Sequence, residues 1–339
     1  MPDFTVAIPT YNGAERLPRL LEQLRSQTYP ADLDWEILVV DNNSSDQTAA
    51  LIQQYQRDWA DTTPTLRYAF EPQQGAGFAR QKAIQTAQSE WVGFLDDDII
   101  PAADWVATAY AAGASRDRAG AYGGQIHGKF ETPPPENFKR IQSFLAIRER
   151  GPEAHQYDPE NLVLPPSAAW VVRRQAWLRD VPTHLALSGP VSGSMVGGED
   201  FEPLLYLHRA GWEIWYNPDL HAAHEIPDRR LERAYLINLS WACGLCICHL
   251  RMITAKSYWQ KPLIMAKIAL GGWRRALKHY WTHAGNPQKD TIAACEMAFF
   301  LSSALSPAYF IGRSLVSHLP RRATGPAQPG QLSCKHLET

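Results

Sequence analysis

The sequence predicts an α/β fold, a mostly parallel sheet flanked by helices, followed by a basic, aromatic helical region. Three observations carry this. Apolar runs of strand length alternate with amphipathic stretches through the first hundred residues, with short connections between them, the pattern of parallel strands joined by crossover helices. Clusters of hydroxyl and acidic residues fall just past the ends of three of those runs. The charge also changes sign along the chain: residues 1–228 carry 18 Lys and Arg against 31 Asp and Glu, whereas residues 229–281 carry ten against Glu232 alone.

Taken in order, Phe4–Thr10 (FTVAIPT) reads as a buried strand and Arg16–Gln27 as an amphipathic helix. Trp35–Asp41 (WEILVVD) is a second strand, with Ser44 or Ser45 placed to cap a helix reaching about Trp59. Leu66–Glu71 is a third strand, Phe78–Ala87 a third helix and Trp91–Asp96 a fourth strand. After Gly120 the rhythm loosens. AYGGQIHGKF and SAAWVVRR read as strands around the Pro-rich ETPPPE, Phe201–Ala210 as a helix, and EIWYN and HAAHEI as two further strands. The composition, 45% hydrophobic and 20% charged over 339 residues, is that of a globular chain. Five cysteines, all in the last third, do not form a disulfide framework, and a reducing cytosol is the expected setting. Met1 leads straight into a strand pattern, so no cleaved secretory signal is expected.

Parallel sheets bind ligands beyond the carboxyl ends of their strands. TYNGAE (Thr10–Glu15), DNNSSD (Asp41–Asp46) and Asp96-Asp97-Asp98 are therefore expected to line one crevice. Three adjacent carboxylates repel one another, and a divalent cation, Mg²⁺ or Mn²⁺, would offset that charge. On an extended segment Asp96 and Asp98 point one way and Asp97 the other, which makes Asp97 a scaffold residue with Arg80 as its partner. Asp46 reads as a helix cap. Glu199 and Asp200 follow a Gly pair at a helix start, where Asp200 is either a cap or a general base.

VAIPTYNGAERL, ILVVDNNSSDQT, GAGFARQKAI, FLDDDIIP and GGEDFEPLLYLHRAGWEIWYNP occur in the order seen in family 2 glycosyltransferases of the GT-A fold, and the first two-thirds of the chain resembles that family. The resemblance implies transfer of a sugar from a nucleoside diphosphate donor to an acceptor hydroxyl with inversion. It implies that Pro9, Thr10, Tyr11 and Glu15 lie against the nucleotide, with Tyr11 offering a face for base stacking and Asp41 accepting the N3–H of uracil or thymine (guanine being disfavoured rather than excluded), that Asp96 contacts the ribose, that Asp98 ligates the cation and that Asp200 is the base. Arg80 falls in an element resembling the family's G-x-x-x-A-R-N-x-G, with Gln81 for Asn and Ala83 for Gly, and faces either the donor or an aspartate. His224, in competition with His221, lies where some relatives carry a metal-site histidine. Trp170, with Glu199, falls where relatives build the acceptor floor. No Q-x-x-R-W motif is found, so single-sugar transfer is expected. The layout also resembles transferases of exopolysaccharide assembly, the hormogonium polysaccharide branch among them.

These expectations divide the chain into a catalytic domain (1–228), a helical region (229–319) and a disordered tail (320–339). The helical region combines its positive charge with Trp241, Trp259, Trp273 and Trp281. Its apolar runs, Ala234–Leu250 and Met297–Gly312, are at or below the lower limit for spanning a bilayer. The expected arrangement is peripheral, on an anionic cytoplasmic membrane face where a lipid-linked saccharide would arrive, with an ordinary packed subdomain as the alternative. Cys243, Cys246, Cys248 and His249 read as a buried helical stretch rather than a zinc site. Other readings are a nucleotidyltransferase, which PTYNGAER disfavours for want of a basic Gly-rich loop, and an inactive carbohydrate-binding relative, which intact Asp41, Asp98 and Asp200 disfavour. No nucleic-acid partner is expected.

Overall fold

The computed structural model describes residues 1–59, 64–187, 189 and 197–317; the expected tail at 320–339 lies outside them. The first strands, β1 (Phe4–Thr10) and β2 (Trp35–Asp41), are buried at every residue, as a sheet covered by helices on both faces requires. Between them runs α1 (Leu17–Arg25), which buries Leu17, Leu20, Leu21 and Leu24 at helical spacing. The chain continues through α2 (Thr48–Asp58), β3 (Thr65–Phe70), α3 (Ala76–Thr86) and β4 (Trp91–Leu95). The strands β3, β2, β1 and β4 lie side by side in that order, all parallel.

Beyond β4 the directions mix. The following elements are β5 (Ile99–Pro101), α4 (Trp105–Ala114), β6 (Ala119–Phe130), β7 (His155–Gln156), β8 (Ala169–Arg173), α5 (Arg174–Asp180), α6 (Phe201–Arg209) and β9 (Glu213–Ile226). The sheet runs on from β4 through β8 and β6 to β9 and β5, with β7 also paired to β9. Here β8 is antiparallel to both β4 and β6, while β6 and β9 are parallel. The two strands expected from EIWYN and HAAHEI are one. Pro218 sits where the β6–β9 register slips between Gly123 and Gln125, and its carbonyl accepts a 3.0 Å bond from the Gln125 side chain. A bulge accommodates a proline that an even ladder would exclude. Gly124 permits this approach, since a Cβ there would lie 1.9 Å from the Leu220 carbonyl oxygen.

The C-terminal region folds as α7 (Arg233–Leu245), α8 (Ile247–Ile253), α9 (Lys261–Thr282) and α10 (Thr291–Ser317). The apolar run Ala234–Leu250 is thus two helices meeting at Cys246, not one. Cys246, Cys248 and Cys295 are buried and Cys243 half-buried, all as free thiols. Ile226 of β9, Leu236 of α7, Ile292 and Cys295 of α10 and Phe138, Ile141 and Leu145 share one apolar cluster. His279 on α9 reaches the Ala293 carbonyl at 2.8 Å. The helices are therefore packed onto the sheet through continuous core.

Candidate functional site

The loops after β1 and β2 are laced together at the carboxyl edge of the sheet. Asn12 N–H donates to Ser44 Oγ, Ser45 N–H to Asn12 Oδ1, Gly13 N–H to Thr48 Oγ1 and Ala14 N–H to Asp46 Oδ2. Asp46 also accepts from the Thr48 amide at 3.0 Å, so it satisfies the first amide of α2 from one residue before the N-cap position, Gln47. That helix starts at Thr48, because Ser44 and Ser45 are spent on the neighbouring loop. Gly13 has no room for a side chain: a Cβ would lie 2.0 Å from Thr10 Oγ1. Tyr11 is 47% exposed and presents its ring outward, whereas Pro9 is buried in the strand. Asp41 is buried, with Oδ1 accepting from Ser44 N–H and Oδ2 from Tyr68 Oη–H, each at 2.9 Å. The Asp41 carboxylate helps push the Tyr68 phenol up to about 12, after burial as the main cause.

The three aspartates form a turn, not an extended segment: Ile99 N–H closes onto Asp96 O at 3.0 Å. Each carboxylate has its own guanidinium. Asp96 pairs with Arg80 at 3.0 Å, Asp97 with Arg16 at 2.7 Å and Asp98 with Arg230 at 2.8 Å. Arg80 is therefore not the partner of Asp97. Arg16 grips Asp97 with two nitrogens, and Thr10 Oγ1 donates to it at 2.6 Å. That contact ties Thr10 to the scaffold rather than to the crevice. Burial nonetheless leaves the Asp97 carboxyl above its usual range. Glu15 is exposed and, with Asp98 and Arg230, lines a cavity of about 700 Å³ between α1 and the end of β9.

Asp98 faces the far end of β9. His224 Nε2 lies 3.3 Å from Asp98 Oδ2, and β5 pairs Ile99 with His224 directly. Of the two candidate histidines only His224 is here; His221 stacks on His127 instead. Arg230 has only N–H donors, so its 2.8 Å contact to His224 Nε2 makes that nitrogen the acceptor. The proton then sits on Nδ1, which donates to the Leu145 carbonyl at 2.8 Å. Burial opposes ionisation of Asp98, but the Arg230 guanidinium and, further off, Arg16 hold its carboxyl below the usual range. A carboxylate and an imidazole lone pair 3.3 Å apart fit adjacent ligands of an octahedral cation, which at about 2.1 Å each sit about 3 Å apart. The histidine's second nitrogen is fixed by a carbonyl, as metal-ligating imidazoles are. Among the described residues no three His, Cys, Asp or Glu side chains group as a protein-only cage.

Arg80 links this turn to the second acidic pair. It is buried, bonds Asp96 on one side and stands 3.8 Å from Glu199 on the other, while its Nε and a terminal nitrogen find no hydrogen-bond partner among the described residues. Asp200 accepts from Phe201 N–H at 3.0 Å and so caps α6. Burial raises both acidic carboxyls of the pair, and the mutual charge adds to it for Glu199, which reaches about 7 despite Arg80. Trp170 is not an acceptor platform. Its strand β8 lies inside the sheet, and the indole is fully buried against Phe94 and Trp177. The sequence reading also missed Arg16, Arg148 and Arg230. Arg16 lies on the same carboxyl edge as TYNG and was open to notice. Arg148, whose charge acts on Asp200, and Arg230 come from segments with no motif of their own.

The sequence profile of Glycosyl transferase family 2 matches residues 5–177, just over half of the chain. The chain belongs to this family. Among curated proteins it is similar to the glycosyltransferase AglE of Haloferax volcanii, 34% identical over 106 residues, which cover 31% of this chain and 34% of AglE. It is also similar to the succinoglycan biosynthesis protein ExoM of Rhizobium meliloti, 23% identical over 263 residues, 76% of this chain and 79% of ExoM. The matched part spans 25–36% of the length of AglE and the three relatives next to it. In structure it resembles the mannosyltransferase PcManGT from Pyrobaculum calidifontis in complex with GDP-Man and Mn²⁺, with a TM-score of 0.54 at 20% identity over 94% of this chain and 81% of that one. The architecture of this family 2 chain is the GT-A fold.

Proposed function

We propose that the protein transfers a sugar from a nucleoside diphosphate sugar to an acceptor hydroxyl with inversion, assisted by a divalent cation, in the assembly of a cell-surface polysaccharide or glycan. One observation carries this reading: Arg80 joins Asp96 of the acidic turn to Glu199 of the second pair. The two acidic centres are thereby neighbours, one placed for the donor and the other for the acceptor. The buried Arg80 Nε–H, which has no hydrogen-bond partner among the described residues, is suited to a donor oxygen.

In this reading Tyr11 stacks on the base, Asp41 accepts from its edge and Asp96 holds the ribose. A uracil or thymine fits the Asp41 contact best, with guanine, the base of the donor bound by PcManGT, as the competitor. Asp98 and His224 would hold the cation, which would supply positive charge to the departing diphosphate. Asp200 takes the proton of the acceptor hydroxyl. The oxygen then bonds to the anomeric carbon as the bond to the diphosphate breaks, and the electron pair leaves with the diphosphate. The α6 N-terminus stabilises the Asp200 carboxylate, and Glu199, raised to about 7 and so about half protonated at neutral pH, reduces the charge beside it.

The helical region supports a lipid-linked acceptor at a membrane surface. On α9, Gly272, Ala276 and His279 face inward. Leu263, Leu270, Trp273, Leu277 and Trp281 are exposed on the opposite side, flanked by Lys267, Arg274 and Lys278. An apolar stripe bordered by cations matches an anionic leaflet. Two stretches, Arg233–Ile253 and Thr291–Arg313, are long and apolar enough to cross a bilayer by length and composition, but about half of each is buried against the rest of the protein.

The test is donor hydrolysis and transfer with UDP-, dTDP- and GDP-sugars, each with Mn²⁺ and with a chelator. Asp200→Asn is expected to retain donor binding and to lower turnover by about 10²–10⁴-fold. Normal turnover by that variant overturns the role of Asp200.

A further inference from the structure

We propose that Arg230 is a built-in stand-in for the divalent cation, so that cation entry and departure of Arg230 from the site are a single exchange. The inference rests on the reading of Asp98 and His224 as cation ligands. One guanidinium touches both groups: 2.8 Å to Asp98 Oδ2 and 2.8 Å to His224 Nε2. Those are the same two atoms, 3.3 Å apart, that a cation would use. His224 Nε2 has a single lone pair, which cannot serve Arg230 and a cation at once, whereas Asp98 Oδ2 has lone pairs for both.

The local structure suits such an exchange. Arg230 ends a single three-residue turn, Asp228–Arg230, between β9 and α7, and that turn has no side-chain cap. Its side chain is about a quarter exposed, whereas Asp98 and His224 are largely buried. The ligands are thus held by the sheet while the placeholder sits on a short connection. The adjoining cavity of about 700 Å³ gives the displaced guanidinium room, with the carboxylates of Glu15 and Glu131 on its walls. Two cations cannot share the pair without a further anion, and a nucleoside diphosphate is such an anion. Its phosphates would complete the coordination and give the released arginine a partner, so cation and nucleotide bind cooperatively, each weakly alone.

Isothermal titration of Mn²⁺, read alongside the free-Mn²⁺ electron paramagnetic resonance signal, tests this on the full chain with and without UDP. Wild type is expected to bind Mn²⁺ weakly alone and at least tenfold more tightly with UDP. Arg230→Gln is expected to bind Mn²⁺ at least tenfold more tightly than wild type without UDP, and Asp98→Asn to lose binding in both conditions. Equal or weaker Mn²⁺ affinity in Arg230→Gln without UDP overturns the placeholder role. Absence of Mn²⁺ binding by wild type even with UDP overturns the cation reading itself. Arg230→Lys, which keeps the charge but lacks the planar two-nitrogen fork, should fall between wild type and Arg230→Gln; a folded variant of either kind decides the matter.

Discussion

At the level of single residues the acidic turn is an electrostatic balance struck side chain by side chain. Asp97 is held by two bonds from Arg16 and one from Thr10. Arg16→Met removes the charged partner of a carboxylate that is mostly buried. Because Arg16 itself is 38% exposed and partly screened, the expected loss is about 1–3 kcal/mol, read as a lower urea midpoint at unchanged slope. Glu199 gives a pH signature. Its carboxyl is raised by burial and by Asp200, from 4.5 to about 7. Between those values the folded protein keeps a proton that the unfolded chain has lost, so this group makes stability fall as pH rises through the window. Glu199→Gln is expected to match wild type near pH 4.5 and to exceed it near pH 7.5, by about 3 kcal/mol. Parallel denaturation curves at the two pH values check this. Residue type announced the acidic cluster, but not which cations would meet it. Arg16 lies 81 residues from Asp97 in sequence, and only the sheet order brings them together. Trp170 shows the same limit, since a tryptophan in a strand looks alike from sequence whether its strand is interior or edge.

Among the elements, the strands β1, β2 and β4 were readable because burial on both faces leaves unbroken apolar runs. The long strand β9 was not, because Pro218 reads as a stop until the bulge against β6 is seen. The helix pair α9 and α10 depends on small residues that carry no such signal. A Cβ on Gly272 would lie 2.7 Å from the Ala304 Cα, and one on Gly244 of α7 would lie 1.9 Å from Ser302 Oγ and 2.7 Å from the Phe299 carbonyl. Buried Ser302, Ser303 and Ser306 on α10 keep this seam narrow. Gly272→Leu is expected to force the helices apart at a cost of about 1–3 kcal/mol, visible as a lower melting temperature. The α9 surface substitution Lys267→Ala should leave that temperature unchanged.

For the molecule as a whole, the acidic catalytic part and the basic helical part are one packed body. His249 of α8 lies 3.1 Å from Glu202 of α6, the helix that Asp200 caps. The proposed membrane face and the proposed base are thus connected through packed elements, which would fix the height of the base above a lipid surface. Flotation with vesicles rich in phosphatidylserine should recover the protein at low salt and release it as salt rises. Replacing Leu270, Trp273 and Leu277 by Ser should abolish recovery without unfolding the protein, because those side chains are exposed. Recovery of the triple variant equal to wild type would exclude α9 as the contact.

The three guanidiniums around the acidic turn also bear on how the chain can be made and handled. Since Asp96, Asp97 and Asp98 are each neutralised from within, the fold does not wait for a cation in the way that a structural metal site does. Synthesis and refolding should proceed equally well in metal-starved and metal-replete media. A melting curve recorded in excess chelator should lie within about 2 °C of one recorded without it.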